Sequence, residues 1–287
     1  MSSHRTVFGA RFTSGLSKAW LVGGYLFLYL PMITLIIYSF NKSPLPTSWG
    51  GFTLEWYEKL AGDSEILSGL WLSIKIAFLS ACFSVIFGTL AAFALVKYKR
   101  FTGRTLFSGM VNAPLVMPEV IQGLSLLLML VSIQKAIGFP ERGLLTILLG
   151  HLMMGLSYAA VVISARLQDL NPQLEEAAMD LGAKPWQVFY LVTLPMISQS
   201  LVSAWLLTFS LSLDDVVVSA FLSGPGATTM PLVIFSRARL GLNPSVNAVA
   251  TVIIVVVAVC VTVASILVAR AERRRALEIS AAQRDAS

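Results

Sequence analysis

Charge is scarce in this chain. Only 13% of its 287 residues are Asp, Glu, Lys or Arg, whereas a soluble domain carries about 25%. The deficit is uneven: charges gather at the ends and in a few short segments, and long apolar runs lie between them. With 56% hydrophobic residues and a mean hydropathy of +0.77, this is the pattern of a polytopic membrane protein. Cysteine is nearly absent. Cys82 and Cys260 both sit inside apolar runs, which argues against a disulfide or a metal site. Two histidines, His4 and His151, make no ligand cluster. No GxxxxGK[ST] loop occurs, so the chain is not expected to bind or hydrolyse ATP itself. No Ser/His/Asp constellation supports an intramembrane enzyme. The net charge of +6 would suit nucleic acid, but membrane topology accounts for most of the excess.

Six segments are apolar and long enough to span a bilayer, which takes about 20 residues. They are residues 20–40, 70–96, 106–133, 144–166, 198–222 and 246–269. The third holds Pro114 and Pro118 and is expected to kink. Residues 1–19 are polar and basic, and the apolar run after them is too long for a signal peptide, so the first span is expected to be retained. Basic residues set the orientation. Arg5, Arg11, Lys18, Lys97, Lys99, Arg100, Arg104, Arg166, Lys184, Arg270, Arg273, Arg274, Arg275 and Arg284 fall on one side. Lys42, Lys59, Lys135, Arg142, Arg237 and Arg239 fall on the other. Both termini are therefore expected in the cytoplasm, giving a tail at 1–19, a membrane domain at 20–269 and a basic tail at 270–287. Two outer connections are long. Residues 41–65 carry Trp49, Trp56 and Tyr57, which suit a membrane interface. Residues 223–245 open on Gly-Pro-Gly and predict a short helix over 231–240.

The cytoplasmic connection 171–195, NPQLEEAAMDLGAKPWQVFYLVTLP, is the most informative stretch. Asn171 and Pro172 make an N-cap and first-turn pair. Leu174, Ala177, Ala178 and Leu181 recur at helical spacing on one face, with Glu175 and Glu176 on the other. Gly182 suits a helix stop. Pro185 can start a second helix with Trp186, Phe189 and Val192 inward, and Pro195 is expected to end it. These features alone would also fit a solvated hairpin with no partner. The spacing Glu176-Ala177-Ala178, then Gly182, then Val192, Leu194 and Pro195 resembles the EAA loop of bacterial ABC importer permeases; Val192 stands where that family often has Ile. The resemblance implies an all-α type I ABC importer permease fold whose two short coupling helices dock on a separate ATPase. Glu176 would then face a basic group of the ATPase, Ala177 and Ala178 would allow close approach, and Gly182 would make the turn.

Ionisable groups inside a span are functional-site candidates. Asp214 and Asp215 lie about 25 Å along the fifth span and Glu119 about 20 Å along the third, at 1.5 Å per residue. The three can share a level and make an acidic site for a cation. On a continuous helix Asp214 and Asp215 would point about 100° apart, so one is a candidate to pair with Lys75 instead. Tyr158, Trp205 and Phe221, with Trp71 and Phe209, are candidates to enclose an ammonium group, although plain packing explains each as well. The stretches 113–128, 175–183 and 211–236, with Asn243-Pro244 and the following Asn247-Ala248, resemble the polyamine branch of these permeases, and most closely the second permease subunit of putrescine/spermidine importers. That resemblance implies a second, homologous permease subunit, two ATPase subunits that bind ATP and Mg, and a periplasmic polyamine-binding protein. It also implies a bacterial inner-membrane location, transport by alternating access, and no cofactor or metal on this chain. Two alternatives remain at this stage. One is the same permease class carrying another small cation, an amino-acid-derived compound or a sugar phosphate. The other is a proton-coupled secondary transporter, which would have no use for a coupling loop.

Overall fold

The computed structural model describes residues 4–43, 48–98, 100–240 and 244–259, with 262 and 266. Among them the chain is helical, and no strand forms beyond the isolated bridges Asn41–Phe52 and Gly224–Ala227. The helices are α1 (His4–Tyr38), α2 (Glu55–Ala61), α3 (Ser64–Lys97), α4 (Arg104–Val116), α5 (Glu119–Ile137), α6 (Leu144–Gln168), α7 (Pro172–Asp180), α8 (Pro185–Val188), α9 (Leu194–Met196), α10 (Ser198–Asp214), α11 (Val217–Leu222), α12 (Met230–Leu240) and α13 (Pro244–Val259). Four of them hold a stretch long and apolar enough to cross a membrane: Ser17–Tyr38 within α1, and α3, α5 and α6. The Pro185–Met196 and Ser198–Asp214 helices, bent 68° from one another, make a fifth if taken as one broken span.

The chain forms two units. The first contains residues up to Asp63 and those from Arg237 onward. Helix α1 begins well inside the segment expected as a tail, and its apolar stretch buries nothing within the protein. Its C-terminal end leads to Asn41, which is 1% exposed. The Asn41 Oδ1 accepts from the Ser43 and Gly50 amides, its Nδ2 donates to the Ser48 carbonyl, and its own carbonyl accepts from the Trp56 indole. Phe40 stacks on Phe52 at 5.3 Å. The Arg237 guanidinium donates to both oxygens of Asp63, at 2.5 and 3.0 Å. The expected sixth span, 246–269, falls partly outside the described residues; Pro244–Val259 is helical.

The second unit, Ser64–Ser236, is organised on α3 and α6. Small residues line the buried stripe of α3, among them Ser73, Ala77, Ser84, Gly88 and Ala92. A lipid bilayer offers no hydrophobic gain for helix association, so small residues that admit close backbone packing supply it. A β-carbon at Gly88 would lie 2.7 Å from the Ala159 Cβ and 3.0 Å from the Ala160 nitrogen. Gly155 of α6 fits against Ser84 in the same way. Helix α10 lays Ala204 on one end of this seam, in a cluster with Ala159, Ile163, Leu167 and Ile197. At the other end Ile76, Ile147, Val218 and Leu222 form a second cluster.

Two expected spans are broken. The third stops at Val116 and restarts at Glu119, an interruption rather than a kink. Pro118 has no N–H and sits at φ −58°, ψ 136°, so the ladder cannot continue through it. Gln122, 2% exposed, bridges the gap by donating from Nε2 to the Pro114 and Met117 carbonyls, both at 2.7 Å. The fifth span stops at Asp214, Asp215 is extended at φ −64°, ψ 128°, and α11 follows. The two aspartates are thus not successive residues of one helix. Helix α11 is held at its far end too, where the Phe221 carbonyl accepts from Arg142 and the Leu222 carbonyl from Thr146. Polar backbone inside a bilayer has to be satisfied within the protein; Gln122 does this for two carbonyls at the first interruption and Asp215 for two amides at the second.

Helix α12 bears out the short helix expected over 231–240.

Candidate functional site

Two candidate sites emerge, one on the 171–195 segment and one within the Ser64–Ser236 unit. The 171–195 segment takes the expected turns up to Lys184. The Asn171 Oδ1 accepts from the Gln173 amide at 3.0 Å and caps α7, with Pro172 in its first turn. Gly182 adopts φ +90°, a conformation that favours glycine, and turns the chain into α8. Pro195 does not end the second helix. Residues Phe189–Thr193 widen into a π-turn, in which the Leu194 amide donates to the Phe189 carbonyl five residues back. The wider turn relieves the clash a proline makes with the preceding turn of an α-helix. The break comes after it, at Ile197.

The apolar positions of α7 lie mostly open rather than packed on the rest of the chain. Leu174 is 46% and Leu181 90% exposed. Trp186, expected inward, is 62% exposed, and Tyr190 and Leu191 are exposed as well. Glu176 and Ala177 share this open side, while Ala178 is half-buried. Glu175 points into the protein. One of its oxygens accepts from the Lys97 ammonium at 2.6 Å and the other from the Thr193 hydroxyl at 2.8 Å. Lys97 ends α3, so this carboxylate ties α7 to α3 and to the π-turn. Val188 and Phe189 are packed inward, Phe189 edge-on to Phe93 with centroids 5.1 Å apart.

The Ser64–Ser236 unit contains a cavity of about 330 Å³ lined by Glu119, Tyr158, Asp214 and Asp215, with His151, Ser212 and Thr208. All three acids named from the sequence meet here, each at a helix interruption: Glu119 opens α5, Asp214 closes α10 and Asp215 precedes α11. Asp214 and Glu119 are exposed, and no other residue hydrogen-bonds either carboxylate among the described residues. Asp215 differs. Its side chain is 8% exposed. One oxygen accepts from the Val218 amide at 3.2 Å; the other accepts from the Ser219 amide at 2.8 Å and lies 3.1 Å from His151 Nε2. The His151 Nδ1 lies 2.6 Å from the Ser212 hydroxyl. Lys75, weighed as the partner of one aspartate, is exposed on α3 and pairs with neither. Tyr158 lines the cavity; Trp205 and Phe221 do not. Trp205 stacks on Phe209 at 5.0 Å and donates its indole N–H to the Cys82 sulfur. Phe221 fills the space over Gly123, where a β-carbon would lie 2.6 Å from its ring. The described residues contain no group of three metal-ligating side chains.

His151 was missed as a site residue, although an ionisable side chain in the middle of an apolar helix is itself a signal. Glu175 was missed because its partner lies 78 residues away in sequence.

Comparison with known proteins agrees with the architecture. The family model described as "Binding-protein-dependent transport system inner membrane component" matches residues 84–277. The putrescine transport system permease protein PotI of Escherichia coli K12 is 51% identical over 265 residues, covering 92% of this chain and 94% of the relative. The spermidine/putrescine transport system permease protein PotC of the same strain is 37% identical over 246 residues, covering 86% and 90%. Among solved structures, a chain of the bacterial alginate ABC transporter, in complex with its pentasaccharide-bound periplasmic protein, has a TM-score of 0.72 at 17% identity, covering 90% of this chain and 94% of that one. A chain of the MetNI methionine ABC transporter has a TM-score of 0.56 at 21% identity, covering 72% and 95%. At those identities the structures establish the fold, and the relatives in sequence are transport permeases rather than enzymes. The chain therefore belongs to the binding-protein-dependent transport system inner membrane components, the permease subunits of ABC importers.

Proposed function

We propose that this permease carries polyamines, putrescine or spermidine, into the cell as one of two homologous membrane subunits of an ATP-driven importer. The observation that carries the reading is the cavity in which Glu119, Asp214 and Asp215 converge at two helix interruptions. A polyamine is a flexible multiple cation, and carboxylates gathered on one cavity attract its ammonium groups together. The relative that is 51% identical is named for putrescine transport. Two free carboxylates also bind weakly enough to release, as a translocation site requires.

The same reading assigns the open side of α7 and α8, with Leu174, Glu176, Ala177, Leu181 and Trp186, to two partner ATPase subunits that bind ATP and Mg. Ala178 and Gly182 set the backbone shape of that dock, and Leu194 and Pro195 carry the load into α10. Both termini lie in the cytoplasm and six spans cross the inner membrane, the sixth beginning in α13. A periplasmic polyamine-binding protein delivers cargo to the outer loops, and closure of the ATPase dimer drives alternating access of the permease pair.

The test is uptake of labelled putrescine and spermidine in cells lacking this chain and other polyamine importers. The intact chain restores uptake. Asp214→Asn and Glu119→Gln reduce it with normal amounts of membrane protein, and Glu176→Arg abolishes it together with ATPase attachment. Unchanged uptake in the deletion strain would refute the polyamine cargo and leave the permease class standing.

A further inference from the structure

We infer that His151 is a positioning residue that takes Asp215 out of the cargo-binding set and fixes the interruption of the fifth span, leaving Asp214 and Glu119 as the cargo carboxylates. The inference rests on the cation-path reading of the cavity. Within that cavity the two adjacent aspartates have opposite surroundings. Asp214 has no other residue as a hydrogen-bond partner among the described residues and faces open space. Asp215 has both oxygens engaged and a side chain that is almost wholly buried. Its two amide donors belong to the first turn of α11, whose N–H groups have no partner within the helix. Asp215 therefore does for α11 what a capping side chain does for any helix. Neither amide can turn to a carboxylate elsewhere, so the Asp215 rotamer is set by the backbone it serves.

His151 closes the arrangement from α6. It is 4% exposed, and both ring nitrogens are engaged, Nδ1 with Ser212 in the last turns of α10 and Nε2 with Asp215 and Ser219 on the far side of the interruption. One imidazole thus joins the two halves of the broken span. A carboxylate held by three donors in this way is a poor ligand for a passing ammonium group, and a histidine bridging α10 and α11 is well suited to holding Asp214 at the cavity wall.

The experiment uses the assembled importer with Cys82→Ser and Cys260→Ser as background. Uptake of labelled putrescine is measured alongside the reaction rate of a neutral methanethiosulfonate reagent at Val216→Cys, which lines the cavity beside the interruption. Asparagine and serine also serve first-turn amides. Asp215→Asn and Asp215→Ser are expected to keep uptake within about threefold of the parent, while Asp215→Ala and His151→Ala lose about tenfold or more. Those two alanine variants should raise the thiol reaction rate as the interruption loosens, and combining them should add little to either alone. Asp214→Asn should lose uptake about tenfold with the thiol rate unchanged. If Asp215→Asn is as damaging to uptake as Asp214→Asn, with an unchanged thiol rate, Asp215 touches cargo and the inference is overturned. It is overturned equally if His151→Ala leaves both readouts at parental values. If Asp214→Asn and Glu119→Gln leave uptake intact, the cargo reading of the cavity fails, while the thiol rates still report whether His151 and Asp215 act as one pin.

Discussion

Breaking the contact between Lys97 and Glu175 should uncouple ATP hydrolysis from transport. The two side chains are 22% and 18% exposed and meet at 2.6 Å, and the same carboxylate accepts from Thr193. A fully exposed ion pair contributes about 0.2–1 kcal/mol. Removing one partner of a fully buried pair costs about 3–5 kcal/mol, because the other charge stays buried and unpaired. A pair exposed to this degree lies between those limits, at about 2 kcal/mol. Since about 1.4 kcal/mol is a factor of ten in an equilibrium, Lys97→Met should weaken the attachment of α7 to α3 about 30-fold. The assay is cargo transported per ATP hydrolysed by the whole importer in proteoliposomes, for Lys97→Met, Glu175→Gln and the double variant. Each single variant should keep hydrolysing ATP while transport falls, and the double variant should be no worse than the poorer single one, the signature of two groups in direct contact. Strictly additive losses, or an unchanged ratio of transport to hydrolysis in Lys97→Met, would show that this brace bears no load.

Other consequences are open to measurement. Gly88→Val puts a branched side chain where a β-carbon already meets Ala159 and Ala160; overpacking of this kind costs about 1–3 kcal/mol, and the purified complex should melt at a lower temperature. Gln122→Leu strands the Pro114 and Met117 carbonyls, a loss of about 2 kcal/mol for two hydrogen bonds, visible as lowered thermal stability and reduced uptake. Trp186→Glu, on the open side of the coupling segment, should lower affinity for the ATPase in detergent pull-downs without changing the melting temperature of the isolated permease. The Lys59 ammonium holds the Glu55 carboxyl below the usual carboxylate range through a hydrogen bond and its charge. Because the folded value is the lower one, this support for α2 is present above the ordinary carboxylate pKa and is lost as pH falls through the folded value. The protection of α2 amides, taken relative to intrinsic exchange at each pH, should therefore fall only at acid pH, and Lys59→Met should show no such pH-dependent fall.

Much of the fold was legible in the residues. Length and hydropathy located the apolar stretches of α1, α3, α5 and α6, Asn171-Pro172 and Gly182 marked both ends of α7, and depth arithmetic along two helices placed Glu119, Asp214 and Asp215 at one level. What escaped has physical reasons. The interruption at Asp215 involves neither glycine nor proline, and its two aspartates read as charges embedded in a continuous helix; the side chain of α6 that bridges it, His151, is 64 residues away. The exposure of Leu174 and Leu181 was not legible, because an apolar stripe records that a surface is to be covered, not whether the cover comes from the same chain or from another. Pro195 was read as a stop because the five-residue turn that accommodates it has no composition of its own. Trp205 and Phe221 were drawn toward the cargo path by their chemistry, yet Cys82, Phe209 and Gly123 account for their positions.

The seam between α3 and α6 bears on how such a protein can evolve. Gly88 there meets Ala159 and the backbone beside it, and Gly155 meets Ser84, so the recognition is one of volume between side chains already among the smallest. Substitution along this line is accordingly a narrow channel: each position tolerates only small residues, and a change on one helix has few matching changes available on the other. The interrupted spans obey the opposite economy, since their polar bridges can be exchanged for other polar bridges of similar reach. Diversification of cargo within this architecture should accumulate around residues 114–122 and 212–219, while the glycine and alanine positions of the seam stay nearly fixed, and deep mutational scanning of the two regions should return sharply different tolerance.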